Sequence, residues 1–138
     1  MGCLYCEKAE KLRSFAYPVC EMTETTVYLH KEQSYPGRLI LVLKRHAEEY
    51  CELTDAEREG VQKDLYRAAK AMETLFHPQK VNLGVFGDTV RHFHIHVVPK
   101  TEGGLDWNGM FQMNPNAIWP SDGEMEKLAL AYREALGE

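Results

Sequence analysis

Polar and apolar residues alternate without a break along His92-Phe93-His94-Ile95-His96-Val97. Successive side chains of a β-strand point to opposite faces, so this segment predicts a strand with three histidines on one face and Phe93, Ile95 and Val97 in the core. Similar patterns cover most of the chain. Residues 17–22 and 25–30 are rich in threonine, valine and tyrosine, and the short junction Thr23-Glu24 makes them a hairpin. Pro36-Gly37 marks a turn before the unbroken apolar run 39–43, which predicts a strand buried on both faces. Residues 81–86 read as a further strand, turned into the histidine strand by Gly87-Asp88.

Two helices are marked by their first residues. Thr54-Asp55-Ala56-Glu57 is a capping box, followed by Val61, Leu65, Ala68, Ala69, Met72, Leu75 and Phe76 at three- and four-residue steps, with Pro78 beyond the end. Ser121-x-x-Glu124 opens a final helix with Met125, Leu128, Tyr132, Ala135 and Leu136 facing inward. Residues 7–14, anchored by Leu12 and Phe15, predict one or two helical turns. Residues 101–120 form a long loop punctuated by Gly103-Gly104, Asn108-Gly109 and Asn114-Pro115. Trp107, Met110, Phe111 and Trp119 are its apolar anchors, packing it over a pocket or against a second copy. The expected architecture is α+β: an antiparallel sheet of about five strands with one long helix and a C-terminal helix.

Composition narrows the function classes. A chain of 138 residues is one domain's worth, and 44% hydrophobic with 27% charged residues is ordinary for a soluble protein. No apolar run approaches the roughly 20 residues of a membrane span, and the start of the chain has no signal-peptide pattern, so a cytoplasmic location is expected. A net charge of -5 argues against a nucleic-acid polymer as partner, which needs a basic face, and leaves room for a local phosphate site. The four cysteines are not spaced as a disulfide framework. Cys3 and Cys6 form a Cys-x2-Cys pair, which in a reducing compartment reads as metal ligands or as terminal thiols without a role; Cys20 and Cys51 read as packed thiols.

At about 3.3 Å per residue, His92 and His96 would lie roughly 13 Å apart along a strand. Zinc holds imidazole nitrogens at about 2.0 to 2.1 Å, so one ion cannot bind all three histidines and a division of labour along a pocket floor is expected.

The His-x-His-x-His run with apolar x positions and two apolar residues after it resembles the signature of the histidine triad (HIT) superfamily of nucleotide hydrolases and transferases. Further similarity lies in Tyr35-Pro36-Gly37-Arg38 and the apolar strand ending Lys44-Arg45-His46, in Leu53-Thr54, in Asn82 and in Gly87-Asp88-Thr89-Val90. Residues 1–100 follow the family pattern, with 101–120 a loop and 121–138 a helix of the same single domain. The resemblance is to the zinc-containing bacterial type. It implies that His94 is the nucleophile, attacking an α-phosphate to form a covalent nucleotidyl-histidine, and that His96 donates to phosphate oxygens. It places Asn82, Asp88, Thr89, Arg38 and His30 as nucleotide or phosphate contacts. Cys3, Cys6, His46 and His92 would hold a structural Zn2+, and no organic cofactor is expected.

The substrate implied is a nucleoside phosphate, dinucleoside polyphosphate or phosphoramidate, with a purine mononucleotide or dinucleoside polyphosphate as ligand and a homodimer as the assembly. Three positions depart from the family's common pattern. Arg38 stands where many members have histidine, as a surface or packing residue or a phosphate contact; His30 stands where an aspartate often holds the ribose; Asp88 stands where a glutamine often meets the phosphates. These departures keep open a nucleotide-binding regulatory module with little turnover. A metallohydrolase with His94 and His96 as catalytic ligands is a third reading.

Overall fold

The computed structural model describes residues 2–138 and contains five strands: β1 (Ala16–Glu21), β2 (Thr25–His30), β3 (Leu39–Leu43), β4 (Lys80–Gly84) and β5 (His94–Lys100). They form one sheet in the order β1-β2-β3-β5-β4, every neighbour antiparallel. Two short helical turns, α1 (Leu4–Glu7) and α2 (Glu10–Arg13), precede the sheet, and two longer helices, α3 (Asp55–Phe76) and α4 (Asp122–Leu136), cover one of its faces. The α+β expectation therefore holds.

Side-chain alternation sorts the two faces. Val27 and Leu29 of β2, Leu39, Leu41 and Leu43 of β3, and Ile95 and Val97 of β5 pack against Val61, Ala68 and Met72 of α3 and Met125, Ala129 and Tyr132 of α4. The alternate residues Tyr28, Ile40 and Val42 meet Tyr5 and Leu12 of the N-terminal segment on the opposite face. That second face carries His94 and His96, which pair across the ladder with Val42 and Ile40. β3 is thus buried on both sides, as its unbroken apolar run predicts.

Both capping boxes form. Thr54 Oγ1 accepts from Glu57 N at 3.1 Å while Glu57 Oε1 accepts from Thr54 N at 2.8 Å, and Ser121 and Glu124 do the same at 3.2 and 2.8 Å. Gly37 takes φ +94°, and a Cβ there would meet the Phe76 ring at 2.6 Å, so both the turn and the helix packing require glycine.

Several boundaries differ from the sequence expectation. The first helical turn begins at Leu4, ahead of residue 7, and β1 ends at Glu21 because Met22 N instead closes the hairpin onto the carbonyl of Thr25. β4 ends at Gly84, leaving Val85 and Phe86 outside the ladder, and β5 begins at His94, so His92 is not a strand residue. There His92 N bonds to the carbonyl of Val90 and Phe93 N to that of Ala47, which turns the chain before the ladder starts. Ala135 is exposed and Ala129 takes the inward position on α4; in the long loop Met110 and Trp119 are exposed and Phe111 alone of the four anchors is buried.

Periodicity also misses Asp64, which is 0% exposed on α3. Its carboxylate accepts from Thr23 N (3.2 Å), Glu24 N (2.8 Å), Thr25 N (2.9 Å) and Thr25 Oγ1 (2.8 Å), tying the β1–β2 turn to the helix. Removing a buried acceptor strands the donors it served. We therefore predict that Asp64→Ala lowers unfolding free energy in urea by about 2–4 kcal/mol, against about 1 kcal/mol for the cap variant Thr54→Ala; equal losses would show that this carboxylate does not anchor the turn.

Candidate functional site

A cavity of about 430 Å3 lies on the sheet face opposite the long helices. One part of its wall is aromatic, from Tyr5, Phe15, Phe86 and Trp119; the polar lining comes from Ser14, His30, Asp88, Thr89, His94, His96 and Asn114. A pocket with flat aromatic walls and a few convergent polar groups suits a ligand with a planar ring and a polar end.

β5 delivers His94 and His96 to the cavity side by side, with ring centroids 5.2 Å apart. His94 Nδ1 lies 2.6 Å from the carbonyl oxygen of His92. A carbonyl can only accept, so Nδ1 carries the proton and Nε2 keeps its lone pair. Burial lowers the pKa of His94, partly countered by that hydrogen bond, and burial together with the Arg38 charge takes His96 down to about 3. His30, lowered to about 4 by burial and then by Arg38, is neutral as well, its Nδ1 being 3.2 Å from Glu32 N and 3.3 Å from the Glu32 carbonyl. The inner polar surface is a set of uncharged imidazoles.

Arg38 sits behind this surface. It is 0% exposed, with Nη2 3.2 Å from His96 Nδ1, Nη1 3.0 Å from the Gln112 carbonyl, and the guanidinium 5.1 Å from the Phe111 ring and 5.8 Å from that of Tyr35. Burial lowers its pKa to about 10, which leaves it charged at neutral pH. Gly84, opposite His96 in the ladder, makes room for the surrounding rings: a Cβ there would meet Phe86 at 2.7 Å and Phe111 at 2.8 Å.

On the far side of His94 is a separate cluster. The ligand atoms of Cys3, Cys6, His46 and His92 all lie within 4.8 Å of one another, the only such group of three or more among the described residues. His92 Nδ1 is 3.1 Å from His46 Nδ1, 3.3 Å from Cys3 Sγ and 3.5 Å from Cys6 Sγ, and Cys6 Sγ is 3.4 Å from His46 Nδ1. The other ring nitrogen of His92 donates to the Leu43 carbonyl at 2.7 Å, which turns an Nδ1 lone pair toward the cluster. Two thiols and two imidazoles at these separations suit a tetrahedral metal, and the cluster could bind zinc.

The structure thus brings Cys3, Cys6, His46 and His92 together, and places His30, Asp88, Thr89, His94 and His96 around the cavity. Two predicted contacts lie elsewhere. Arg38 does not line the cavity, because its guanidinium is enclosed by Tyr35, Phe111 and His96. Asn82 pairs with Val98 and borders a different cleft with Lys80, Lys100 and Trp107. Asp88 is exposed at the rim.

Sequence reasoning missed Tyr5 and Phe15 as cavity residues; their only signal is position, Tyr5 between the paired cysteines Cys3 and Cys6 and Phe15 just before β1. It also missed Glu32, which is 0% exposed and accepts from Ser34 N and Oγ (3.0 and 2.6 Å), Ala117 N (2.8 Å) and Ile118 N (2.9 Å). These bonds pin the part of the long loop that presents Trp119. Burial alone would raise the Glu32 pKa, but the hydrogen bonds from Ser34, Ile118 and Ala117 hold it down at about 2.

Comparison with known proteins gives a consistent result. The model of the HIT domain matches residues 16–103, more than half of the chain. An uncharacterized HIT-like protein of Mycoplasma genitalium is 23% identical over 108 residues, spanning 75% of this chain and 76% of that protein. The crystal structure of a histidine triad (HIT) protein from Sinorhizobium meliloti 1021 superposes with TM-score 0.85 at 24% identity, covering 97% of this chain and 99% of that one. A Zn-bound histidine triad family protein from Mycobacterium smegmatis superposes with TM-score 0.68 at 20% identity, covering 99% of this chain and 94% of that one. These two structural likenesses are likenesses of fold.

The Glu32 bonds make the loop testable. The folded-state pKa lies below the ordinary value of 4.5, so the anchoring is complete above that value and is lost as pH falls through about 2. At neutral pH, Glu32→Gln is expected to lower stability by about 1–3 kcal/mol and to abolish slow hydrogen exchange at Ala117 and Ile118. Unchanged protection of both amides would show that the carboxylate does not hold this wall.

Proposed function

This chain belongs to the HIT family, and on that premise we propose that it is a nucleotide hydrolase or nucleotidyl transferase acting at an α-phosphate through a covalent adduct on His94. The observation that carries the proposal is the 2.6 Å contact from His94 Nδ1 to the His92 carbonyl, which leaves a neutral imidazole with its Nε2 lone pair on the cavity side. That lone pair attacks the α-phosphorus. As the P–N bond forms, the bond to the leaving group breaks and its electron pair departs with that group. Water, or another acceptor, then attacks the same phosphorus; the P–N bond breaks, the water proton passes to solvent and a nucleoside monophosphate leaves. His96 donates to the phosphate oxygens in both steps, and Thr89 with the backbone at Gly87 extends the donor set. The base lies among Tyr5, Phe15, Phe86 and Trp119, with His30 toward the ribose.

In the same proposal Cys3, Cys6, His46 and His92 hold Zn2+ as a structural ion that fastens the N-terminal turns to the segment before β5. A homodimer would use the sheet edge at β4, where Leu83 is 54% exposed and the following Val85 50%. Among the described residues no helix is long and apolar enough to cross a membrane.

Reactions with dinucleoside polyphosphates or adenosine phosphoramidates quenched in alkali, where a P–N bond to imidazole survives, should trap a nucleotidyl group on His94. His94→Ala should lose about 10^4-fold or more in turnover while still folding; full activity in that variant rules out the assignment. Mononucleotide binding without any adduct across the panel would favour the binding-module reading, which the Asp88 carboxylate at the rim supports.

Metal analysis should find one zinc per chain. Cys3→Ser and Cys6→Ser should lose the ion and lower the thermal midpoint, and zinc retained in the double variant would place the ion elsewhere. Light scattering should give a dimer mass, twice the 15.9 kDa of the chain; a monomer at working concentration would remove the dimer from the proposal.

A further inference from the structure

Arg38 is the buried group for which the mechanism above has no use. It is 0% exposed, no carboxylate lies within 4.0 Å of it among the described residues, and its Nε is buried without a hydrogen-bond partner. Burying an unpaired guanidinium is unfavourable, and the faces of Phe111 and Tyr35 offset only part of that. One of its contacts does bear on chemistry: Nη2 stands 3.2 Å from His96 Nδ1.

A guanidinium has only donors to offer. His96 Nδ1 must therefore accept, which places the ring's single proton on Nε2. His94, held by the His92 carbonyl, has the opposite arrangement, so two neighbouring histidines on one strand are fixed as opposite tautomers. The cation at Nδ1 has a second effect. It bars His96 from becoming imidazolium, because a second proton would have to sit where Arg38 already points its own. The other groups facing His96 are His94, His30, Phe86 and Phe111, none of them a carboxylate, and the only carboxylate lining the cavity is Asp88 at its exposed rim.

We propose that Arg38 is a positioning residue that locks His96 as a neutral Nε2–H donor, and that the site is thereby matched to leaving groups that depart as stable anions. The second half rests on the covalent reading of His94. A phosphate-type leaving group takes the electron pair of the broken P–O bond as an anion and needs no proton to depart. An amine leaving from a phosphoramidate must be protonated as the P–N bond to it breaks, and a neutral His96 has no proton of suitable acidity for it. Of the substrate classes open to the site, anhydrides such as dinucleoside polyphosphates are therefore favoured over phosphoramidates.

Two measurements on the zinc-loaded full chain test this. Long-range 1H–15N correlation spectra, with His96 assigned by loss of its signals in His96→Gln, should show a protonated Nε2 and a bare Nδ1 in His96 and the reverse in His94. Arg38→Met should abolish the His96 preference, and Arg38→Lys, which also can only donate, should retain it. A wild-type His96 protonated at Nδ1 overturns the proposal whether or not the variants fold, as does an unchanged tautomer in folded Arg38→Met.

In kinetics, kcat/KM for a dinucleoside polyphosphate should exceed that for an adenosine phosphoramidate by about 10²-fold or more, and Arg38→Met should narrow that ratio by about tenfold. General damage to the fold lowers both rates and leaves the ratio alone. A wild-type ratio near one, or a preference for the phosphoramidate, overturns the leaving-group assignment. Absence of turnover with both substrates overturns the catalytic reading of His94 and with it this assignment, while the spectra separately decide the tautomer lock.

Discussion

The site depends on one carbonyl group that the sheet does not use. Because β5 begins at His94, the carbonyl of His92 is left out of the ladder and takes the ring proton of His94 at 2.6 Å. Had the strand begun two residues earlier, that oxygen would face a neighbouring strand and His94 would need another way to hold its tautomer. The same early departure from the ladder lets the His92 ring reach Cys3, Cys6 and His46 while its Nε2 holds the carbonyl of Leu43 on β3. One residue therefore joins two sites: its backbone orients His94, and its ring belongs to the metal-ligand cluster.

Around that junction the polar face of the sheet is built from groups that carry no charge at neutral pH. His30, His94 and His96 are all pushed toward the neutral form by burial. Two full charges lie behind this face: Arg38, sealed beneath His96 by Phe111 and Tyr35, and the ionised Glu32 beside His30. A dianionic ligand entering such a cavity meets oriented N–H groups whose polarity is reinforced by a buried cation, with little competing water. The opposite face of the sheet is mainly apolar and packed by α3 and α4, which gives these dipoles a rigid support.

What the sequence made legible was local. The alternation of residues 92–97, the apolar run of β3 and the two capping boxes each depend on contacts within a few residues, and the structure forms all of them. Phe93, Ile95 and Val97 are in the core as the alternation requires, even though the ladder starts late. What was not legible depends on partners far along the chain. Asp64 bonds to residues 39–41 positions away and Glu32 to residues 85 and 86 positions away, so neither shows in a periodic pattern. Arg38 was open to three readings because its neighbours, Gln112 and His96, arrive from other segments. Asn82 borders a different cleft for a related reason: its cross-strand partner Val98, packed with Tyr35 and Phe111, lies far along the chain.

In the reading proposed above, His92 and His94, two positions apart in the chain, serve two different sites. That division is tested most directly by diffraction from crystals of the zinc-loaded protein soaked with a mononucleotide, with anomalous data collected on both sides of the zinc edge. One anomalous peak is expected, bonded to Cys3 Sγ, Cys6 Sγ and the Nδ1 atoms of His46 and His92, with the nucleotide phosphate against Nε2 of His94 and no metal there. A peak bonded to His94 or His96 would contradict that division and make the triad a single metal centre.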